Sequence, residues 1–310
     1  MSATAQRLRL TNIQEPLLHD KSQELEKPDN GFANMHGTVP EAGAMTAASG
    51  SEISGQIIVF LHVTGGAGAT TLAVNTATGL NQGGARKSCA ILDFDVQFGS
   101  VASLLDIPRA SILQALIDEP GRLDRIAIDE TLVRHASELF ALPAPRVPLP
   151  LDALKPSTAA AILKATRARF RYTIVDMPVA LGPWTDVVLS RASRIYLVTP
   201  MTVPAAHNLA RFFFLLQQHD LHLPVAIIVN RHAKLARHSL ISPAEFHSAI
   251  GRPIDHIVPE DIPLVQQAAN QGTPAVTLAP KSPFARAIAD IVAAESGEVS
   301  VAKRGLFGRL

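Results

Sequence analysis

Residues 56–82, QIIVFLHVTGGAGATTLAVNTATGLNQ, decide how the chain is organised. The run from Gln56 to Val63 is rich in β-branched and apolar side chains and short enough to read as a buried strand. Gly65, Gly66 and Gly68 interrupt it, and the composition from Thr70 to Gln82 is helical until Gly83-Gly84 stops it. The stretch reads as strand, glycine-rich turn and helix. Outward from it the same alternation recurs: residues 88–94, 138–144, 172–177, 194–200 and 225–230 have the texture of strands, and 157–170, 203–219 and 242–250 that of helices. Strands apolar on both faces and separated by helices imply a parallel sheet covered on both sides. The expected fold class is therefore α/β: a doubly wound, mainly parallel sheet with helices on both faces. Near the end, IDHIVPED reads as a last strand and turn, PLVQQAANQ as a helix, and residues 282–296 as a closing amphipathic helix presenting Phe284, Ile288, Ile291 and Val292.

Composition bounds the rest. With 310 residues and 47% hydrophobic side chains, the chain can bury one large core. Residues 1–54 show neither a helical nor a strand period and read as a disordered arm, which leaves 55–298 as the folded domain and 299–310 as a tail. A net charge of +1 argues against nucleic acid as a partner. A single cysteine, Cys89, excludes an internal disulfide framework or a cysteine metal cluster. The N-terminus lacks the apolar core of a secretory signal and no apolar run reaches membrane-spanning length, so the expected location is cytoplasmic. His219 and His222 lack neighbours at metal-ligand spacing, and no nucleophile-elbow pattern accompanies the serines.

The glycine-rich turn has the context of a phosphate-binding loop, because it follows a strand and opens a helix. Glycines let the backbone turn its N–H groups toward an anion at the positive end of a helix. Gly65, Gly66, Ala67, Gly68, Ala69, Thr70 and Thr71 are the candidate phosphate-binding residues. The alternative is a tight turn with no ligand. Two later strands end in acids, Asp93 with Asp95 and Asp176, which an open α/β sheet brings beside the loop after its first strand. Thr70 with Asp93 or Asp176 makes a reasonable shell for Mg2+. Asp93 and Asp95, two apart, would point the same way in an extended strand, and Asp95 is the candidate for orienting an attacking water. Asp95 could equally cap a helix or pair with an arginine.

The loop resembles the deviant Walker A motif of the ParA/MinD group, KGGxGK[ST]T, at Gly65, Gly66, Gly68, Thr70 and Thr71, with Thr64 and Ala69 where that motif has lysines. Losing one charge-assisted contact costs about 1.5–3 kcal/mol, which binding can survive; removing a group that stabilises developing charge costs a rate factor of roughly a hundred to a thousand. Weak or absent hydrolysis is expected. The stretches TGGAGATTLAVNTA, AILDFDVQFGSVASLLDI, FRYTIVDMP, IYLVTPMTVPAAHNLARFF, IIVNR and IDHIVPEDIPLVQQAANQGTPAVTLAPKSPFARAIADI, in that order, are similar to the TadZ/CpaE branch of tad (Flp) pilus assembly proteins. The resemblance spans residues 55–296, and Asp93 to Gly99 with the late PED…AANQG stretch carry it most specifically.

That resemblance implies ATP or ADP with Mg2+ as ligands. It also implies an adenine pocket lined by Asn230, Arg231, Pro259 and Glu260, a homodimer, and pilus or secretion machinery at the inner membrane as partners. Members of the branch commonly carry a receiver-like domain before the ATPase domain; the 54-residue arm is too short and irregular to be one. Lys303, Arg304 and Arg309 beside Leu306 and Phe307 are reminiscent of the membrane-targeting tail of MinD, so residues 303–310 offer a peripheral membrane contact, the alternative being a frayed solvated tail. Arg231, Lys234 and Arg237 could face phosphate or form a solvated loop. Three functions compete: a nucleotide-dependent polar localisation factor, a partitioning or division-site ATPase, and a scaffold with no nucleotide.

Overall fold

The computed structural model describes residues 55–81, 88–109, 112–119, 128, 131–218, 224–233 and 241–297. In chain order they form β1 (Gln56–His62), α1 (Ala69–Asn81), β2 (Cys89–Asp93), α2 (Val101–Leu104), α3 (Ile112–Asp118), β3 (Val133–Arg134), β4 (Phe140–Leu142), α4 (Pro156–Arg169) and β5 (Tyr172–Met177). There follow α5 (Thr185–Leu189), β6 (Arg194–Thr199), α6 (Val203–Gln218), β7 (Val225–His232), α7 (Pro243–Ile250), β8 (His256–Pro259), α8 (Ile262–Gln271), α9 (Ala275–Leu278) and α10 (Pro283–Ser296).

One eight-stranded sheet runs in the order β3-β4-β2-β5-β1-β6-β7-β8. All its pairings are parallel except β3 with β4, which closes one edge as an antiparallel pair. β1 lies between β5 and β6, so the loop leaving it emerges at the point where strand order reverses, the place where open α/β sheets bind ligands. The doubly wound expectation holds.

The apolar texture of the strands has a simple cause. Along β1, Ile57, Val59 and Leu61 enter one core and Ile58 and Phe60 the other, so both faces of the strand lose contact with water. α4 adds Ile162 and Leu163 to the first core; α1 adds Leu72 and Ala77 to the second, and α10 adds Phe284, Ile288 and Ile291. Each such Leu, Ile or Phe is worth about 1.5–3 kcal/mol of burial. Helix ends follow the local chemistry. α7 opens with a capping box between Ser242 and Glu245 and closes at Gly251 in the left-handed region; α8 and α10 are capped by Asp261 and Ser282. Glu295 near the end of α10 accepts from Arg194 Nε at 3.2 Å and from the Tyr196 hydroxyl, tying the closing helix to β6.

Short elements were invisible to periodicity: β3 has 2 residues, and α2, α5 and α9 have 4, 5 and 4. β7 also runs on past Asn230, through Arg231 to His232. The N-terminal arm 1–54, Gly83-Gly84, His219, His222, Lys234, Arg237 and the tail 299–310 lie outside the described residues. Among the described residues no helix is long and apolar enough to cross a membrane.

Candidate functional site

The turn between β1 and α1 takes its shape from glycine. Gly66 and Gly68 have φ of 72° and 89°, where L side chains are strained. A methyl built on Gly65 or Gly66 would meet no atom within 4 Å, so this side of the loop offers bare backbone. On Gly68 it would stand 2.6 Å from Asn230 Nδ2. Asn230 is the reason the loop is held where it is: its buried amide donates to the Ala67 carbonyl at 2.8 Å and accepts from the Arg231 N–H at 2.9 Å. The amide expected in an adenine pocket thus braces the glycine-rich loop. The two lysine positions carry no cation: Thr64 is half-buried and Ala69, first residue of α1, is wholly buried.

Beside the loop lies a cleft of about 230 Å³ whose lining includes Gly68, Asn230, Arg231, Pro259, Glu260 and Gln266. Pairing of β7 with β8 assembles it: His232 opposes Pro259, a register shift separates this pair from Val229, and the Glu260 N–H donates to the His232 carbonyl. Arg231 takes φ of 56° within that irregularity. The sequence-predicted pair of dipeptides therefore comes together on one wall.

Asp93 and Asp176 are register partners on the adjacent strands β2 and β5, both almost fully buried. Asp93 accepts from the Asp95 N–H at 3.2 Å through Oδ1 and from the Val101 N–H at 3.1 Å through Oδ2. Only glycine fits opposite, since a methyl on Gly99 would lie 2.4 Å from both Asp93 oxygens. Asp95 departs from the extended geometry expected of it. The Phe94 N–H still donates to the Asp176 carbonyl and its ring is buried edge-on against Trp184, but the Val96 N–H returns to the Phe94 carbonyl, turning the chain at Asp95, whose Oδ1 accepts from the Gln97 and Phe98 N–H groups. The D-x-D-x-Q-F-G spacing is thus a hydrogen-bonded turn: the first acid holds the turn and α2, the second caps the loop, and the glycine makes room.

Burial pushes the Asp93 carboxyl up to about 7, the Asp95 charge adding to the effect and the two N–H donors opposing it. Asp176 is raised well above the usual carboxylate range by burial and by Asp93, against the pull of the Thr70 hydroxyl. The native state therefore keeps protons that the unfolded chain has already lost, and these acids stabilise the fold less as pH rises from the unfolded carboxylate value through about 7. In metal-free buffer, thermal melts are expected to fall between about pH 5 and about pH 8. An Asp93→Asn chain should show a smaller drop; equal slopes in both chains would contradict the assignment.

One residue of this cluster has no precedent in the sequence reading. His62, last in β1, places Nε2 3.3 Å from Thr70 Oγ1 and 3.9 Å from Asp176 Oδ1. Burial lowers its pKa, with Asp95 opposing, so the ring is neutral near pH 7 and the contact with Asp176 is not an ion pair. Its only sequence signal is a polar side chain at the end of an apolar strand, directly before the loop.

The donors fit a hard cation in part. Asp176 Oδ1 is buried without a hydrogen-bond partner and Thr70 Oγ1 lies in the same cluster, whereas both Asp93 oxygens already hold backbone N–H groups. Among the described residues, no three His, Cys, Asp or Glu side chains are arranged to hold a metal alone. A cation here needs phosphate or water oxygens to complete its shell.

With this geometry in hand, solved structures give the decisive comparison. A ParA family ATPase from Chlorobium tepidum superposes with a TM-score of 0.69 at 22% identity, over 77% of this chain and 98% of that one. The fold is that of the ParA/MinD P-loop ATPases. The septum site-determining protein MinD of Pyrococcus horikoshii, complexed with Mg-ADP, superposes with a TM-score of 0.63 at 19% identity, over 77% of this chain and 95% of its own. In sequence, the chain is 26% identical to an uncharacterised ATP-binding protein of Methanocaldococcus jannaschii over 79% of its length and 94% of the relative's. It is 24% identical to MinD of Thermotoga maritima, covering 71% and 80%. No family model matches the chain. On the ParA/MinD-like scaffold, the loops following β2, β4 and β5, three neighbours in the sheet, expose Phe98, Val147, Val179 and Leu181.

Proposed function

We propose that the chain is an ATP-binding, ParA/MinD-like localisation and assembly factor of a tad (Flp) type pilus or secretion system, with weak or no hydrolysis. The observation that carries this reading is a braced backbone cradle, open at Gly65 and Gly66, beside buried acids but without a lysine at residue 64 or 69. The N–H groups of residues 65, 66 and 68–71 hold the phosphates, that of Ala67 being turned to the Thr64 carbonyl, and the cleft at Asn230, Arg231, Pro259 and Glu260 takes the base. Thr70 and Asp176 hold Mg2+ directly or through water, and Asp93 sets the charge beside them. Bound Mg2+ would neutralise phosphate charge. Asp95 orients water by its second oxygen, and with no ammonium group to stabilise the developing charge, turnover stays low.

ATP then acts as a structural ligand that favours a dimer. The exposed apolar side chains on three neighbouring loops support a protein contact at this edge, either a second copy or the pilus machinery. A partitioning or division-site ATPase is the second reading, supported by the relatives' names but opposed by the buried alanine at residue 69. Replacing the cellular copy with a Gly66→Val form tests the proposal. Loss of surface pili and of a polar focus is expected; unchanged pili would refute it. Sedimentation of the purified chain should show ATP shifting monomer toward dimer, without retention on DNA.

A further inference from the structure

His62 carries the inference. Its Nε2, Thr70 Oγ1 and Asp176 Oδ1 form a three-donor set in which nitrogen lies 3.3 Å from one oxygen and 3.9 Å from the other. One ion with bonds of about 2.1 Å can join donors up to about 4.2 Å apart, and both separations from Nε2 lie within that reach. A second, independent observation points to a ligand: Asp176 is 1% exposed, yet its Oδ1, the oxygen facing His62, has no hydrogen-bond partner. A buried carboxyl oxygen with no partner costs free energy unless a donor or a cation satisfies it. The imidazole cannot do so as it stands, because 3.9 Å exceeds hydrogen-bond reach. His62 Nδ1 is buried without a partner, so among the described residues the ring's only hydrogen bond is that of Nε2 with the Thr70 hydroxyl, and in the tautomer that carries its proton on Nδ1 the Nε2 lone pair faces this cluster.

We propose that His62 is a nitrogen ligand to the divalent cation of the phosphate loop, and that this site therefore prefers a first-row transition cation such as Co2+, Ni2+ or Zn2+ to Mg2+. Magnesium takes oxygen donors almost exclusively, whereas imidazole favours the later transition ions. The neutral nitrogen also leaves the site one negative charge poorer than a carboxylate in its place would. The inference rests on the phosphate-loop reading only for the last coordination positions, since the three protein donors are present without nucleotide.

The test is a Co2+ titration of the full chain by calorimetry, with Mg2+ as competitor, run with and without ATP, on the natural chain and on His62→Asn and His62→Ala. The natural chain should bind Co2+ at least roughly tenfold more tightly than Mg2+. Both variants should lose one Co2+ site or weaken it by roughly tenfold, while their Mg2+ affinity stays within about twofold. Pulsed electron paramagnetic resonance of bound Mn2+ should show nitrogen modulation in the natural chain and none in His62→Ala. Oxygen-only coordination of Mn2+ in the natural chain, Co2+ binding unchanged by either variant, or no Co2+ binding in either condition would each overturn the proposal. The two readings fail separately. Nitrogen-ligated metal with no response to ATP refutes the nucleotide site alone, and ATP binding with oxygen-only metal refutes the role of His62 alone.

Discussion

Ala69→Lys is expected to tighten ATP binding by roughly tenfold to a hundredfold, equivalent to about 1.5–3 kcal/mol for one charge-assisted hydrogen bond. Residue 69 opens α1, directly after the glycine-rich loop, and is wholly buried. A lysine here would stand where the resembled motif has its second lysine, and Asp93 and Asp176, buried at the ends of β2 and β5, would be available as counter-charge on losing their protons. The new cation would draw the pKa of both acids down and flatten the fall of melting temperature with pH. Ala69→Met, with a stem of similar bulk and no charge, separates packing from electrostatics and should give no gain. In the Thr64→Lys, Ala69→Lys double variant, hydrolysis should rise by a factor of about a hundred or more, since the ammonium group would act on charge that develops in the transition state. Calorimetric ATP affinity equal in the natural chain, Ala69→Lys and Ala69→Met would mean that phosphate does not reach the start of α1.

Gly68→Val should abolish ATP binding and destabilise the fold by roughly 2–5 kcal/mol, from about 1–3 of backbone strain and about 1–3 for a lost buried hydrogen bond. A Cβ at this position would lie 2.6 Å from Asn230 Nδ2, while the backbone sits at φ of 89°. Either the Asn230 bond to the Ala67 carbonyl breaks or the loop turns over. Gly66→Val has a different expected profile. Its φ of 72° carries strain, but the added side chain meets no protein atom within 4 Å and projects into the space over the loop. It should melt within a few degrees of the natural chain and still fail to bind ATP. Asn230→Ala removes the strut without adding bulk and should weaken ATP by roughly tenfold. Thermal melts and calorimetry on the three proteins check the pattern; ATP affinity retained in Gly68→Val would show that the observed loop is not the one that binds.

The sheet and its major helices were legible because each carries its own signal. β1, β2, β5, β6 and β7 are runs of Ile, Val and Leu that no half-exposed element could sustain, and α7 announces itself by Ser242, Pro243 and Glu245. The loop glycines and Asn230, Arg231, Pro259 and Glu260 were legible as a set, but the role of Asn230 was not. Its amide is engaged by a carbonyl 163 residues away in sequence, a contact that no local pattern encodes. Asp95 was expected to point with Asp93 because the alternation of acids in D-F-D looks like a strand; the return of the Val96 N–H to the Phe94 carbonyl and the capping of Gln97 and Phe98 by Asp95 turn the chain there instead. His62 escaped because one histidine has no spacing to read. The edge strand β3 was equally hidden, its two residues gaining strand character only from pairing with β4.

Titration of ATP with Mg2+ into the full natural chain by calorimetry, with Gly66→Val in parallel, bears on all of this most directly. Saturable binding at one site per chain, lost in Gly66→Val while its melting curve stays cooperative, is the result expected if backbone N–H groups alone grip the polyphosphate. Absence of heat at millimolar ATP, or identical isotherms for the two proteins, would contradict it.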